Sequence, residues 1–236
     1  MAKELITKQE ISDVMIERPI SFSIKGKHYS IFPATLGKIQ LFSRLLNAAG
    51  LGDTADVALV YSRFLEAAQQ HRGECLRILT YFSLEDDKCL YENIVLRRMK
   101  EFNCIEDVDL ASLILAGISL EKSELVIKQL GIDVEAEQMK RIVNVKKNDK
   151  NSVSFGERSI WGALIDAACQ RYGWSYQYVL WGISYSNLRI MLADQSRTVF
   201  LSDMERKQVH VSNDRNIIRA EDTETLNTLI KNQSWK

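Results

Sequence analysis

Ile20, Phe22 and Ile24 alternate with serines in ISFSI (Ile20–Ile24), and a second short run, KHYSI (Lys27–Ile31), follows Lys25-Gly26. This is the one good strand signal in the chain. A two-residue turn at Lys25-Gly26 pairs the two runs as an antiparallel hairpin, with Phe22 opposite Tyr29 and Ile20 opposite Ile31, and gathers the large apolar residues on one face. A lone hairpin is marginal in water, so this face needs helices to pack on. Before it, residues 8–16 read as a short helix that stops ahead of Pro19. After Pro33 the apolar period changes to that of helices. Thr35 can cap a helix to Ala49 carrying Leu36, Ile39, Phe42, Leu45 and Leu46 on one face, with Gly50 closing it. Asp53 or Thr54 restarts the pattern through Val57, Val60, Tyr61, Phe64, Leu65 and Ala68. A helix over 73–82 follows, broken by Asp86-Asp87, which in turn open a helix over 88–102. Residues 110–118, LASLILAGI, read as a segment buried nearly all round. Residues 121–130 form a helix ended by Gly131, and Asp133 caps another to Val143.

Residues 144–154, NVKKNDKNSVS, are polar and without apolar periodicity, which makes them the linker between an N-terminal unit (1–143) and a C-terminal unit (155–236). The second unit opens with a helix over 157–172 carrying Ile160, Trp161, Leu164, Ile165, Ala168 and Tyr172 on one broad face. Gly173 ends it, Ser175 caps a short turn to Trp181, Gly182 ends that, and Ser184 caps a third helix with Leu188, Met191 and Leu192 inward. The periodicity continues through 197–207, and Asp222 caps a last helix over 223–231. The fold class predicted is mainly α, a multi-helix bundle with a small N-terminal β-hairpin. Two prolines in 236 residues agree with helices and short connections.

Composition changes this picture little. Apolar content of 46% and charged content of 26% are those of an ordinary globular chain. The formal net charge is zero, and the signs balance within 1–150 and within 151–236 alike, which argues against nucleic acid as a partner. No run reaches the ~20 apolar residues of a membrane span, and the opening MAKELITKQE has no apolar core of a signal peptide, so a cytoplasmic location is expected. Cys75, Cys89, Cys104 and Cys169 form no C-x-x-C pair, and buried free thiols are expected. Glu85-Asp86-Asp87 lacks the order of a calcium loop and reads as a cluster at a helix start. His28, His71 and His210 lie in separate elements, no G-x-S-x-G elbow or glycine-rich phosphate loop is present, and no catalytic residue, cofactor or metal is predicted.

What remains is the stretch from Phe155 to Ala193. It holds three of the four tryptophans and four of the eight tyrosines. Trp161 and Tyr172 fall on a helix face and read as scaffold. Trp174, Tyr176, Tyr178, Trp181 and Tyr185 recur at nearly every second residue, too closely for all to point inward, and are the candidate partner-binding residues. A helix-turn-helix around Gly173-Trp174-Ser175 is disfavoured, because YQYVLW offers no Arg or Lys to reach phosphates or base edges.

Ile160-Trp161, Leu164-Ile165, Tyr172-Gly173-Trp174-Ser175, Tyr178-Val179-Leu180, Asn187-Leu188 and Met191-Leu192 together resemble the C-terminal part of phage tail assembly chaperones. The opening KGKHYSIFPATLGKIQLF is similar to how such proteins begin. The resemblance implies a mostly helical, non-enzymatic protein of the infected host's cytoplasm. Its partner would be the tape-measure protein, or another tail protein, held soluble during tail tube assembly, and the chaperone would be absent from the finished virion. Self-association is a further expectation. The alternatives are a structural component of a phage or prophage particle and a nucleic-acid-binding regulator. A helical surface of aromatic and Met side chains suits a client with an exposed apolar stripe.

Overall fold

The computed structural model describes residues 7–51, 60–146, 159–195 and 198–209. It is mainly helical, with one two-stranded antiparallel sheet among these residues. α1 (Lys8–Met15) is opened by a capping box, in which Glu10 N–H donates to Thr7 Oγ1 and Thr7 N–H donates back to the Glu10 carboxylate. β1 (Ile20–Ile24) and β2 (Lys27–Ile31) pair in the predicted register, Phe22 with Tyr29 and Ile20 with Ile31. Lys25 and Gly26 have φ of 47° and 77°, the two positive values that a right-twisted two-residue hairpin demands. The apolar face rests on α5 (Glu92–Phe102): the Phe102 ring meets Tyr29 edge-on at 5.0 Å and Phe22 at 5.8 Å.

α2 (Leu36–Ala48) is capped by Thr35 and followed by Gly50 at φ 71°, as the sequence predicts. α3 (Val60–Gln70) buries Phe64, Ala67 and Ala68; the predicted start at Asp53 or Thr54 lies outside the described residues. α4 (Arg72–Ser83) is the central helix, burying Cys75, Leu76, Ile78, Leu79, Tyr81 and Phe82. Asp86 and Asp87 do not open the next helix. They begin a 3-10 turn (Asp86–Leu90), and α5 starts only at Glu92. Asp86 stands at φ 48°, which a helix start cannot use, so the chain needs the extra turn to redirect itself. α6 (Asp107–Ile118) packs on α3 and α4 through Leu110, Ala111, Ile114 and Gly117. The predicted segment 110–118 is not buried all round: Ser112 and Ile118 are exposed. These helices and the hairpin enclose the main core.

α7 (Ser123–Gln129) and α8 (Ile132–Lys146) follow, separated by Gly131 at φ 72°. α8 runs past its predicted end at Val143. α9 (Ile160–Tyr172) starts at its Ser159 cap, later than residue 157. A π-helical turn (Tyr178–Gly182) and α10 (Tyr185–Ala193) complete the aromatic-rich stretch. α10 does not continue into 197–207: residues 198–202 are non-helical and α11 (Asp203–Val209) is a separate helix. The predicted last helix, 223–231, lies outside the described residues.

Contacts divide the chain into two compact units, Met1–Glu137 with Val153–Arg197, and Gln138–Ser152 with Thr198–Lys236. The aromatic-rich stretch thus groups with the N-terminal helices. Of the predicted linker, 144–146 end α8 and the rest to 154 lies outside the described residues. In the second unit Lys146 Nζ donates to Phe200 O at 2.6 Å, and Ser202 with Glu205 caps α11.

Candidate partner-binding surface

The aromatic stretch begins from Gly173, whose φ of 65° ends α9 in the left-handed conformation and reverses the chain. Tyr172, just before it, donates its hydroxyl to Met191 O of α10 at 2.8 Å and stacks on Trp174 with centroids 4.6 Å apart. Trp174 in turn meets Tyr178 edge-on at 5.1 Å. Ser175 Oγ accepts from Tyr178 N–H at 3.2 Å and caps the turn. The π turn inserts one residue more than an α turn would hold. Its far end is Gly182, where a Cβ would stand 2.3 Å from the Tyr178 ring, so only glycine lets that ring fold across the turn.

Four of the five candidate residues go to three different places, and the fifth, Tyr176, is exposed. Trp174 and Tyr178 join Tyr172 in a ladder of rings. Tyr185 pairs instead with Trp161, centroids 6.3 Å apart, with the Arg189 guanidinium 5.6 Å from its ring. Trp181 turns inward: its ring lies on Gly37 of α2, where a Cβ would stand 2.7 Å away. Tyr176 and Tyr178 are the open members, 58% and 43% exposed, while Trp174, Trp181 and Tyr185 are half-buried. Trp161, read as scaffold, is 38% exposed and its neighbour Ile160 is 80% exposed. The broad face predicted for α9 is therefore narrower. Ala168 is buried, Leu164, Ile165 and Tyr172 are partly so, and the first turn projects into solvent. No charged residue occurs between Gly173 and Leu188.

Polar contacts to distant residues hold the stretch in place, and periodicity gives no sign of them. Tyr185 N–H donates to Ala34 O at 2.8 Å. Glu17, at φ 55°, accepts at Oε1 from Ser184 N–H and from Asn187 Nδ2, both at 2.9 Å. Asn187 Nδ2 also donates to Met15 O. A carboxylate set against the first N–H groups of α10 is favoured by the helix dipole. These bonds offset the cost of a left-handed glutamate. The local signal available was Glu17 just ahead of Pro19, and it does not name its partner.

Other chemistry is placed as follows. Among the described residues no group of three His, Cys, Asp or Glu side chains could hold a metal ion. His28 shares a hydrogen bond with Ser23 across the hairpin, and His210 lies outside the described residues. Cys75 and Cys89 are buried thiols, and burial raises both pKa values, Cys75 to about 11. Cys104 is exposed and Cys169 half-buried, against the expectation that all four are buried. A cavity of about 240 Å³ opens between α1, Pro33, Leu120 and Ser184. Its charged walls are already matched, Glu10 with Lys122 at 2.8 Å and Asp13 with Arg18 at 3.1 Å. The Lys122 ammonium and the Thr7 cap hold the Glu10 carboxyl down to about 2. Among the described residues no helix is long and apolar enough to cross a membrane. No protein-family profile, curated protein or solved structure matches the chain.

Proposed function

We propose that the chain is a non-enzymatic phage tail assembly chaperone that binds the tape-measure protein, or another tail protein, in the host cytoplasm and keeps it soluble during assembly. The observation that carries this reading is the charge-free turn after α9, with Tyr176 and Tyr178 open to solvent and Trp174 braced behind Tyr178. Exposed aromatic side chains on a rigid support give large contact area at low ordering cost. The Tyr172–Trp174–Tyr178 ring stack braces the surface, and Ile160 with Trp161 adds apolar area at the start of α9. A client that exposes an apolar stripe until it is assembled is the kind of partner such a surface covers.

The test is co-expression with a tape-measure protein, reading the soluble fraction of the client. Tyr176→Ser with Tyr178→Ser is the informative variant, because both side chains are exposed, whereas Trp181 holds the turn to α2. The native chain raises client solubility and the variant does not, at unchanged far-UV circular dichroism. Full activity in the variant places the contact elsewhere, and no effect of the native chain rejects the reading. Mass spectrometry of purified particles decides between a chaperone and a structural component: stoichiometric copies of this chain there would favour the latter.

A further inference from the structure

The 3-10 turn Asp86–Leu90 packs against the π turn Tyr178–Gly182, although about ninety residues separate them. Leu90, the last residue of the 3-10 turn, and Tyr91 just after it are 55% and 51% exposed; exposed Tyr178 opens the π turn, and exposed Tyr176 stands two residues before it. Four large apolar side chains on or beside two touching turns exceed the single exposed residues normal for a protein surface. The π turn contributes no charge, but the 3-10 turn contributes several. Lys88 is bonded to Glu85 at 3.0 Å, and Glu92 just beyond is bonded to Arg77 at 2.7 Å. Asp86 and Asp87 make no salt bridge among the described residues, and Lys38 behind them directs its amine to Leu84 O.

We infer that these two turns form one docking surface for an amphipathic helix whose apolar stripe is flanked by lysine or arginine. The stripe covers Leu90, Tyr91, Tyr176 and Tyr178, and the basic flank faces Asp86 and Asp87. The inference rests on the chaperone reading for its biological occupant, but the surface chemistry stands apart from it. Charge complementarity selects the occupant: an acidic edge steers and orients a basic-flanked helix and disfavours an acidic one. Part of the affinity is therefore sensitive to salt.

Fluorescence anisotropy with two labelled helical peptides, each with a leucine stripe, one flanked by lysines and one by glutamates, tests this on the full chain. The lysine-flanked peptide binds about tenfold tighter than the other, a difference of about 1.4 kcal/mol, and salt narrows the gap. Asp86→Asn with Asp87→Asn removes the preference; asparagine tolerates the left-handed φ of Asp86, so the turn is kept. Leu90→Ser with Tyr91→Ser weakens both peptides about tenfold; serine suits the cap position that Tyr91 holds before α5. Equal binding of the two peptides, binding unaffected by either double variant at unchanged circular dichroism, or no binding overturns the inference. A tape-measure client kept soluble by both double variants would overturn the surface and leave the chaperone reading standing. Peptide binding as described, without any effect on the client, would do the reverse.

Discussion

Lys38 is the residue on which the fold makes its least comfortable choice. It is buried in the first turn of α2, its amine donates to the Leu84 carbonyl and lies 5.8 Å from the Phe32 ring, and no carboxylate pairs with it among the described residues. Burial pulls its pKa below the ordinary lysine value, with Cys89, Asp86 and Glu85 opposing. The folded chain thus gives up this proton more readily than the unfolded chain. Wherever the unfolded state binds more protons, stability rises with pH. The cost of the buried charge is full below the folded pKa and is relieved as pH rises toward about 10.4. Lys38→Met keeps the apolar stem and removes the titration. Urea unfolding from neutral pH to about 10 should show the native chain gaining on the variant as pH rises. A flat difference would mean that the amine keeps its ordinary proton affinity inside the fold.

At the scale of elements, what could be read from the sequence was what local chemistry decides. The hairpin register follows from alternation and from a turn that only residues tolerant of positive φ can make. Thr35, Ser159 and Ser184 each accept at an N-terminal N–H of the helix they precede, and Gly50, Gly131 and Gly173 each take a left-handed φ. The misreadings came where tertiary partners decide. α6 is apolar on nearly every position yet is covered on one side, because α3 and α4 approach from that side. Trp181 and Tyr178 look alike in a list of aromatics. One points inward because α2 presents a glycine to it, and the other lies outward across Gly182. Gly37→Ala weighs the two influences. Alanine favours the helix by up to about 1 kcal/mol, but its Cβ would meet the Trp181 ring at 2.7 Å, and overpacking costs about 1–3 kcal/mol. Net destabilisation is expected. In a Trp181→Leu background the same change should become neutral or stabilising, and a double-mutant cycle by thermal unfolding measures the coupling. An additive cycle would mean that the ring and the helix do not constrain each other.

Across the whole molecule, burial is uneven. The main core surrounds α4, whereas α9, the π turn and α10 share a smaller cluster around Leu36, Ala168, Val179, Ile183 and Leu188. Fewer buried contacts mean a lower local opening free energy. Amide hydrogen exchange should find the slowest protons in α4 and α6 and faster exchange in α9, with the aromatic turn opening before the main core does. Uniform protection would show one cooperative unit instead. The π-turn side of the proposed surface then sits on the part of the fold that opens first, whereas the 3-10 turn beside it is anchored in the main core through Cys89. Glu17 adds a matter of timing. Its acceptor bonds reach Ser184 and Asn187, 167 and 170 residues further along the chain. Ribosomes add roughly 5–20 residues per second, so roughly ten to thirty seconds pass between synthesis of the glutamate and of its donors. The adjacent hairpin can form within microseconds of its synthesis, yet the bend that leads into it has only local bonds, Glu17 N–H to Val14 O and Arg18 N–H to Asp13 O, until the aromatic stretch is made. The glutamate is made well before the residues that fasten it.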